Sequence, residues 1–174
     1  TVTVIDQSAC SRTYSVTITE PTQLIGTISA STNPTCYNGS DGSVTASASG
    51  GTSPYTYSSD GSTYQSSATF TGQTVGTKTI YIKDANNCVT SAATALSKSA
   101  PNATFSITNV ACNGGGTGAI TVSNGTGGSG SGYTYSKDGS NYQSSGTFSS
   151  LAAGSYAIYI KDGAGCARYL QTNT

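Results

Sequence analysis

Residues 55–70 read YTYSSDGSTYQSSATF, and residues 133–148 read YTYSKDGSNYQSSGTF. The offset is 78, and 13 of 16 positions are identical, so one stretch copies the other. The copying extends outward from there. TIYIKDANNC (79–88) lies over AIYIKDGAGC (157–166), and VTVIDQSAC (2–10) is a third, truncated copy of the same segment. Asp6, Asp84 and Asp162 are spaced by 78, and each is followed four residues later by a cysteine: Cys10, Cys88 and Cys166. Upstream, Cys36 in CYNGSDGS and Cys112 in CNGGGTGA are 76 apart. The missing two residues return as an insertion in the glycine-rich stretch 124–132, where a loop tolerates them. A repeat of this length sets the domain organisation before any other feature does. Residues 1–20 are the C-terminal strands of a preceding repeat, 21–99 one repeat and 100–174 a second. Opening inside a unit and without Met, the sequence is expected to be a piece of a longer polypeptide. The five cysteines are then two per unit, with Cys10 left unpaired by the truncation.

Within a unit the hydrophobic period is two, which is the period of strands. Leu24, Gly26 and Ile28 share a face, and Val44, Ala46 and Ala48 alternate with Ser and Thr. Ile80 and Ile82 point one way and Tyr81 and Lys83 the other; Ile158 and Ile160 oppose Tyr159 and Lys161 in the same manner. NGSDG, GGTSP, SSDGS and KDANN are turn signals between them. No apolar stripe of helical period is present. Short strands with turn signals every 8–12 residues predict an all-β chain of tandem immunoglobulin-like antiparallel β-sandwich repeats of about 78 residues. Pro21 and Pro101 mark short junctions, so the units are expected end to end.

Composition removes several functions. Serine (29), threonine (29) and glycine (22) dominate the 174 residues, and only 8% are charged. Seven Lys plus Arg against seven Asp plus Glu give no net charge, which excludes the basic surface a nucleic-acid binder needs. Without histidine there is no histidine-based triad or zinc site, and six Asp with one Glu leave few acid–base pairs. Near-identical repeats offer no asymmetric catalytic site, so no enzyme activity and no cofactor are expected. No apolar run approaches the ~20 residues of a membrane span.

The recurring cysteines point to an oxidising, extracellular setting. Cys36, Cys88, Cys112 and Cys166 are the disulfide candidates, and their partners depend on strand count. If TYQSSATF is a single strand, four strands separate the cysteines of a unit, which then share a pole and pair within it. If the chain breaks at Ser66–Ser67, five strands intervene, and Cys36 faces Cys166 of the next unit. Pairing within a unit is the expectation.

The order CYNGSDG or CNGG, a strand, GG, YTYS, a turn, LAAGSYAIYIKDGAGC and a strand ending in ITEP resembles the SprB-type repeat of large Bacteroidota cell-surface adhesins. The resemblance covers essentially the whole chain. It implies many tandem repeats, export to the cell surface by the type IX route, and a role in adhesion and, in gliding cells, motility. There are departures. L-x-x-G-x-Y is intact at Leu151, Gly154 and Tyr156 but is replaced by Gln73, Gly76 and Lys78 in the first unit, and Asp41 has no equivalent in GGGTGA.

Three motifs have competing readings. The Asp of D-x-x-x-C is a calcium ligand or, preferred here, the closure of a hairpin turn. Asp60-Gly61 and Asp138-Gly139 are hairpin turns. GGGTG and GTGGSGSG lack the helix and lysine of a phosphate loop and are read as loops. Tyrosine is enriched, with 12 residues. Tyr81, Lys83, Tyr159 and Lys161 form a candidate contact face for surface glycans or protein, against the plainer reading of cross-strand stiffening. Tyr55, Tyr57, Tyr133 and Tyr135 are expected to wall the core. The leading function is a structural spacer whose partners are neighbouring repeats of the same chain; the alternatives are a glycan- or protein-binding module and a self-associating, strand-exchanged fibre.

Overall fold

The computed structural model describes residues 1–170, and every regular element among them is a β-strand. In chain order these are β1 (Val2–Ile5), β2 (Ser11–Tyr14), β3 (Ile25–Thr32), β4 (Gly42–Ser49), β5 (Thr56–Ser58), β6 (Thr69–Gln73) and β7 (Gly76–Lys83). They continue as β8 (Val89–Leu96), β9 (Asn102–Thr108), β10 (Gly118–Thr126), β11 (Thr134–Ser136), β12 (Thr147–Leu151), β13 (Ile158–Lys161) and β14 (Ala167–Leu170). All pairing is antiparallel. The first repeat has one sheet ordered β3-β4-β6 and another ordered β5-β7-β8. The second repeats the plan as β9-β10-β12 and β11-β13-β14, and β1-β2 is a separate hairpin.

Two-residue alternation places one core in each repeat. Leu24, Val44 and Ala46 meet Tyr57, Ile80, Ile82 and Leu96 across the first sandwich, and Ile120, Val122, Phe148 and Leu151 meet Tyr135, Ile158, Ile160 and Leu170 across the second. Tyr57 and Tyr135 are buried, and Tyr55 and Tyr133 pack at the core edge with their hydroxyls donating to the carbonyls of Gly50 (2.6 Å) and Gly127 (2.7 Å). Val2 and Val4 of β1 occupy the register of Ile80 and Ile82 but stay more than half exposed, because no second sheet faces that hairpin among the described residues.

The segment TYQSSATF is not one strand. Gln65 exchanges two backbone hydrogen bonds with Tyr57 of β5 (2.8 and 2.9 Å), whereas Thr69 pairs with Thr45 of β4 in the opposite sheet. The chain changes sheets in between. The Gln65 side chain donates to the Ser67 carbonyl at 3.0 Å, and Ser67 Oγ accepts from the Thr69 amide at 3.2 Å, which satisfies backbone groups that leave the ladder. Gln143 and Ser145 do the same in the second repeat. Five segments therefore run between Cys36 and Cys88, and the two cysteines lie at opposite poles of their repeat. We call these the loop pole, after the β3–β4 and β9–β10 loops, and the hairpin pole, after the β7–β8 and β13–β14 hairpins.

This geometry corrects the expectation of pairing within a unit. Cys36 is bonded to Cys166, with S–S 2.01 Å and Cα–Cα 5.4 Å across 130 residues of sequence, while Cys10, Cys88 and Cys112 are free and exposed. The bond joins the loop pole of the first repeat to the hairpin pole of the second. The connecting segment is held from both sides. The Ser97 amide donates to Asn33 Oδ1 at 2.9 Å, the Gly128 amide donates to the Ser99 carbonyl at 3.1 Å, and Pro101 is fully buried.

Candidate functional site: the repeat joint and the tyrosine–lysine face

Each half of the joint is built by a carboxylate or hydroxyl acting on backbone amides. On the hairpin side, Asp162 Oδ1 accepts from the amides of Ala164 (3.0 Å) and Cys166 (2.9 Å), and Oδ2 accepts from the Ser129 amide at 2.7 Å. Asp84 repeats the set with Asn86, Cys88 and Thr52. Asp6 closes its hairpin onto Ser8 and Cys10 alike. The aspartate of D-x-x-x-C is thus the hairpin closure, and it fixes the cysteine that follows. Asp84 and Asp162 are buried and accept three amide donors each. The Thr52 amide, followed by those of Cys88 and Asn86, holds the Asp84 carboxyl below the usual carboxylate range against the opposing effect of burial. Sequence reading missed what Oδ2 does. Gly51 and Gly128, at φ +58° and +56°, carry the chain past that oxygen so closely that a Cβ at either would collide with it.

On the loop side, the Cys36 carbonyl accepts from the Gly39 amide and the Cys112 carbonyl from the Gly115 amide, both at 2.9 Å. Asp41 clasps Thr35, accepting from its amide at 2.9 Å and from its hydroxyl. Those two bonds lower the Asp41 pKa. The second repeat does have a counterpart. Thr117 Oγ1 accepts from the Ala111 amide at 2.9 Å in the same place, so a hydroxyl stands where the first repeat has a carboxylate.

The second candidate site lies on the outer face of the β5-β7-β8 and β11-β13-β14 sheets. Tyr81, Lys83, Tyr159 and Lys161 project there, half-buried. Lys83 Nζ sits 4.1 Å from the centroid of the Tyr64 ring, and Lys161 Nζ 4.0 Å from that of Tyr142. Tyr159 packs on Tyr169 at 5.3 Å between centroids. Tyr81 and Tyr159 also cover Gly61 and Gly139, whose positive φ values (+74° and +79°) make the D-G turns. Tyr64 and Tyr142 were not singled out in the sequence, although their shared register with the lysines was visible in the repeat. Burial, then the neighbouring Tyr159 and Asp138, raise the Tyr142 pKa. In the turns, Ser58 donates to Asp60 at 2.7 Å and, with the amides of Thr63 and Ser62, brings the Asp60 pKa to about 2. Asp138 is lowered too, first by the Asn141 side chain. The face is therefore a set of contacts already made within the chain.

The departure in L-x-x-G-x-Y resolves into a substitution of equal reach. The Tyr156 hydroxyl donates to the Ala152 carbonyl at 3.0 Å, and in the first repeat Lys78 Nζ donates to Thr74 Oγ1 at 3.0 Å between the same two positions.

The SprB repeat family model matches the chain twice, at residues 28–63 and 104–140. Comparison with curated proteins finds no match.

Proposed function

We propose, on the premise that the chain carries two SprB repeats, that it is a load-bearing spacer of a long extracellular surface adhesin or filament, supporting attachment and, where the cell glides, motility. The observation that carries this reading is the bond between repeats. A disulfide within a sandwich stabilises that sandwich; one from Cys36 to Cys166 resists bending and separation of two sandwiches. A chain rich in Ser and Thr, with only 8% charged residues, suits a spacer whose surface is hydrophilic without a strong field of either sign. The function is mechanical and needs no catalytic residue or cofactor, and the partners are neighbouring repeats. Small-angle scattering of the chain with and without reductant tests it. An elongated particle whose two repeats gain relative freedom on reduction is expected; a compact, near-spherical particle indifferent to reductant overturns it.

The competing reading, a glycan- or protein-binding face, draws on the recurrence of Tyr81/Lys83 and Tyr159/Lys161 in both repeats, which would give avidity. The engagement of both lysines by Tyr64 and Tyr142 favours the stiffening role. Equal binding of the native chain and a Tyr81→Ser plus Tyr159→Ser variant on a glycan array leaves the spacer alone.

A further inference from the structure

Cys88 and Cys112 are not spare thiols. Each sits at the position that forms the Cys36–Cys166 bond, one repeat away. Cys88 is the hairpin-pole cysteine of the first repeat, held by Asp84 as Asp162 holds Cys166. Cys112 is the loop-pole cysteine of the second, with the Gly115 amide on its carbonyl as Gly39 is on that of Cys36. Both are exposed. They also lie at the two outer ends of the pair of repeats, because the bonded cysteines occupy the two poles that meet at the joint.

We propose that the bond seen at this joint recurs at every joint: Cys112 takes the hairpin-pole cysteine of a following SprB-type repeat in the same chain, and Cys88 the loop-pole cysteine of a preceding one. Each repeat is then bonded to both neighbours and has no bond of its own. The interface is heterologous, a loop pole always meeting a hairpin pole, so the same contact can recur from each repeat to the next along the chain. The assignment follows from the repeat geometry and holds whether or not the rod belongs to an adhesin. The chemistry balances with a low-molecular-weight disulfide as oxidant. One cysteine thiolate attacks it and releases one small thiol. The thiolate of the partner cysteine then displaces the second small thiol as the protein S–S bond forms, and two protein protons are given up.

The test extends the native chain with its own sequence. By the offset of 78, Thr174 is equivalent to Leu96, so appending a second copy of residues 97–174 adds one further repeat in register; that copy carries Cys112→Ser and Ala167→Ser, both at exposed positions, so that its peptides differ in mass from the native ones. The extended chain is refolded in oxidised and reduced glutathione, its free thiols are alkylated, and it is mapped under non-reducing conditions. The expected map holds Cys36–Cys166 and a new link from Cys112 to the appended copy of Cys166, with Cys88 alkylated. An alkylated Cys112 in molecules that carry Cys36–Cys166 overturns the proposal, as do links of Cys36 to Cys88 and Cys112 to Cys166. A variant of the extended chain in which the native Cys112 is also changed to Ser guards against misfolding. It retains Cys36–Cys166 as its own report of a native joint, and the appended Cys166 must then become alkylated; if it stays protected, the assignment fails.

Discussion

Replacing Cys36 by Ser opens a loop of 130 residues that embraces most of both repeats. In the chain-entropy treatment, closing such a loop is worth about 5 kcal/mol at 25 °C through its effect on the unfolded chain. At 2–4 °C per kcal/mol for a folding unit of this size, that is a fall in Tm of roughly 10–20 °C. A within-repeat bridge of about 50 residues would contribute nearly as much, about 4 kcal/mol, so the size of the loss does not identify the pairing. Its distribution among the cysteines does. Under non-reducing calorimetry, Cys36→Ser and Cys166→Ser are expected to fall equally, and the double variant no further than either single one. Cys88→Ser and Cys112→Ser leave Tm within a few degrees of the native chain, since both thiols are free and exposed in the two-repeat molecule. Losing the bond also uncouples the sandwiches, so a single native transition separates into two. The reasoning is refuted if Cys88→Ser matches Cys36→Ser and Cys112→Ser matches Cys166→Ser, because that pattern belongs to bonds inside each repeat.

Further outcomes follow from the cores and the carboxylates. Ile80→Ala removes a side chain 1% exposed between the two sheets of the first repeat and should cost about 2–5 kcal/mol in a denaturant titration, with Ile158→Ala doing the same in the second. Gly26→Val drives a branched side chain into Ile82 and Thr90 and is expected to destabilise the first repeat by about 1–3 kcal/mol, while Ala103, already accommodated in the second core, tolerates glycine with a smaller loss by the same measure. Asp41, Asp60, Asp84 and Asp138 have folded pKa values below their ordinary value of 3.8. A depressed carboxylate contributes stability that is present above its unfolded pKa and lost as pH falls through the folded one. Thermal melts should therefore be flat above about pH 5 and fall from about pH 4 toward pH 2; a Tm that rises on acidification contradicts the carboxylate–amide closures.

Strand identity and the two cores were legible because they rest on a period of two and on the exact copying of Ile80-Tyr81-Ile82 as Ile158-Tyr159-Ile160. The turns were legible because D-G and D-x-x-x-C carry their own local hydrogen bonds. The disulfide was not, because it turns on one local event, the change of sheet at Ser66–Ser67. That event depends on which sheet the backbone of Gln65 joins and which Thr69 joins, and both partners are remote in sequence. The equivalence of Thr117 to Asp41, and of Lys78 to Tyr156, was hidden for a different reason: the position is defined by reach to a backbone amide or a turn residue, and different side chains supply it.

On the proposed spacer function, one change of sheet decides how the repeats share load. With an even number of segments the cysteines of a repeat would meet, each sandwich would be sealed, and tension would fall on the short connection 97–101. With an odd number they face outward. The bond then spans the joint in parallel with that connection, so that force passes through both the chain and the Cys36–Cys166 link. If every joint is bonded in this way, the shortest covalent path through two repeats is one disulfide and the stretch from a hairpin-pole cysteine to the next loop-pole cysteine, as from Cys88 to Cys112. That stretch is β8, the connection and β9, strands already paired within their sheets. Pulling such an array must break sulfur–sulfur bonds or peel the edge strands β8 and β9, and with them Leu96 and Phe105, away from their cores. On that function, two β-sandwiches of modest core, each small for a domain standing alone, gain their resistance to force from the joint between them.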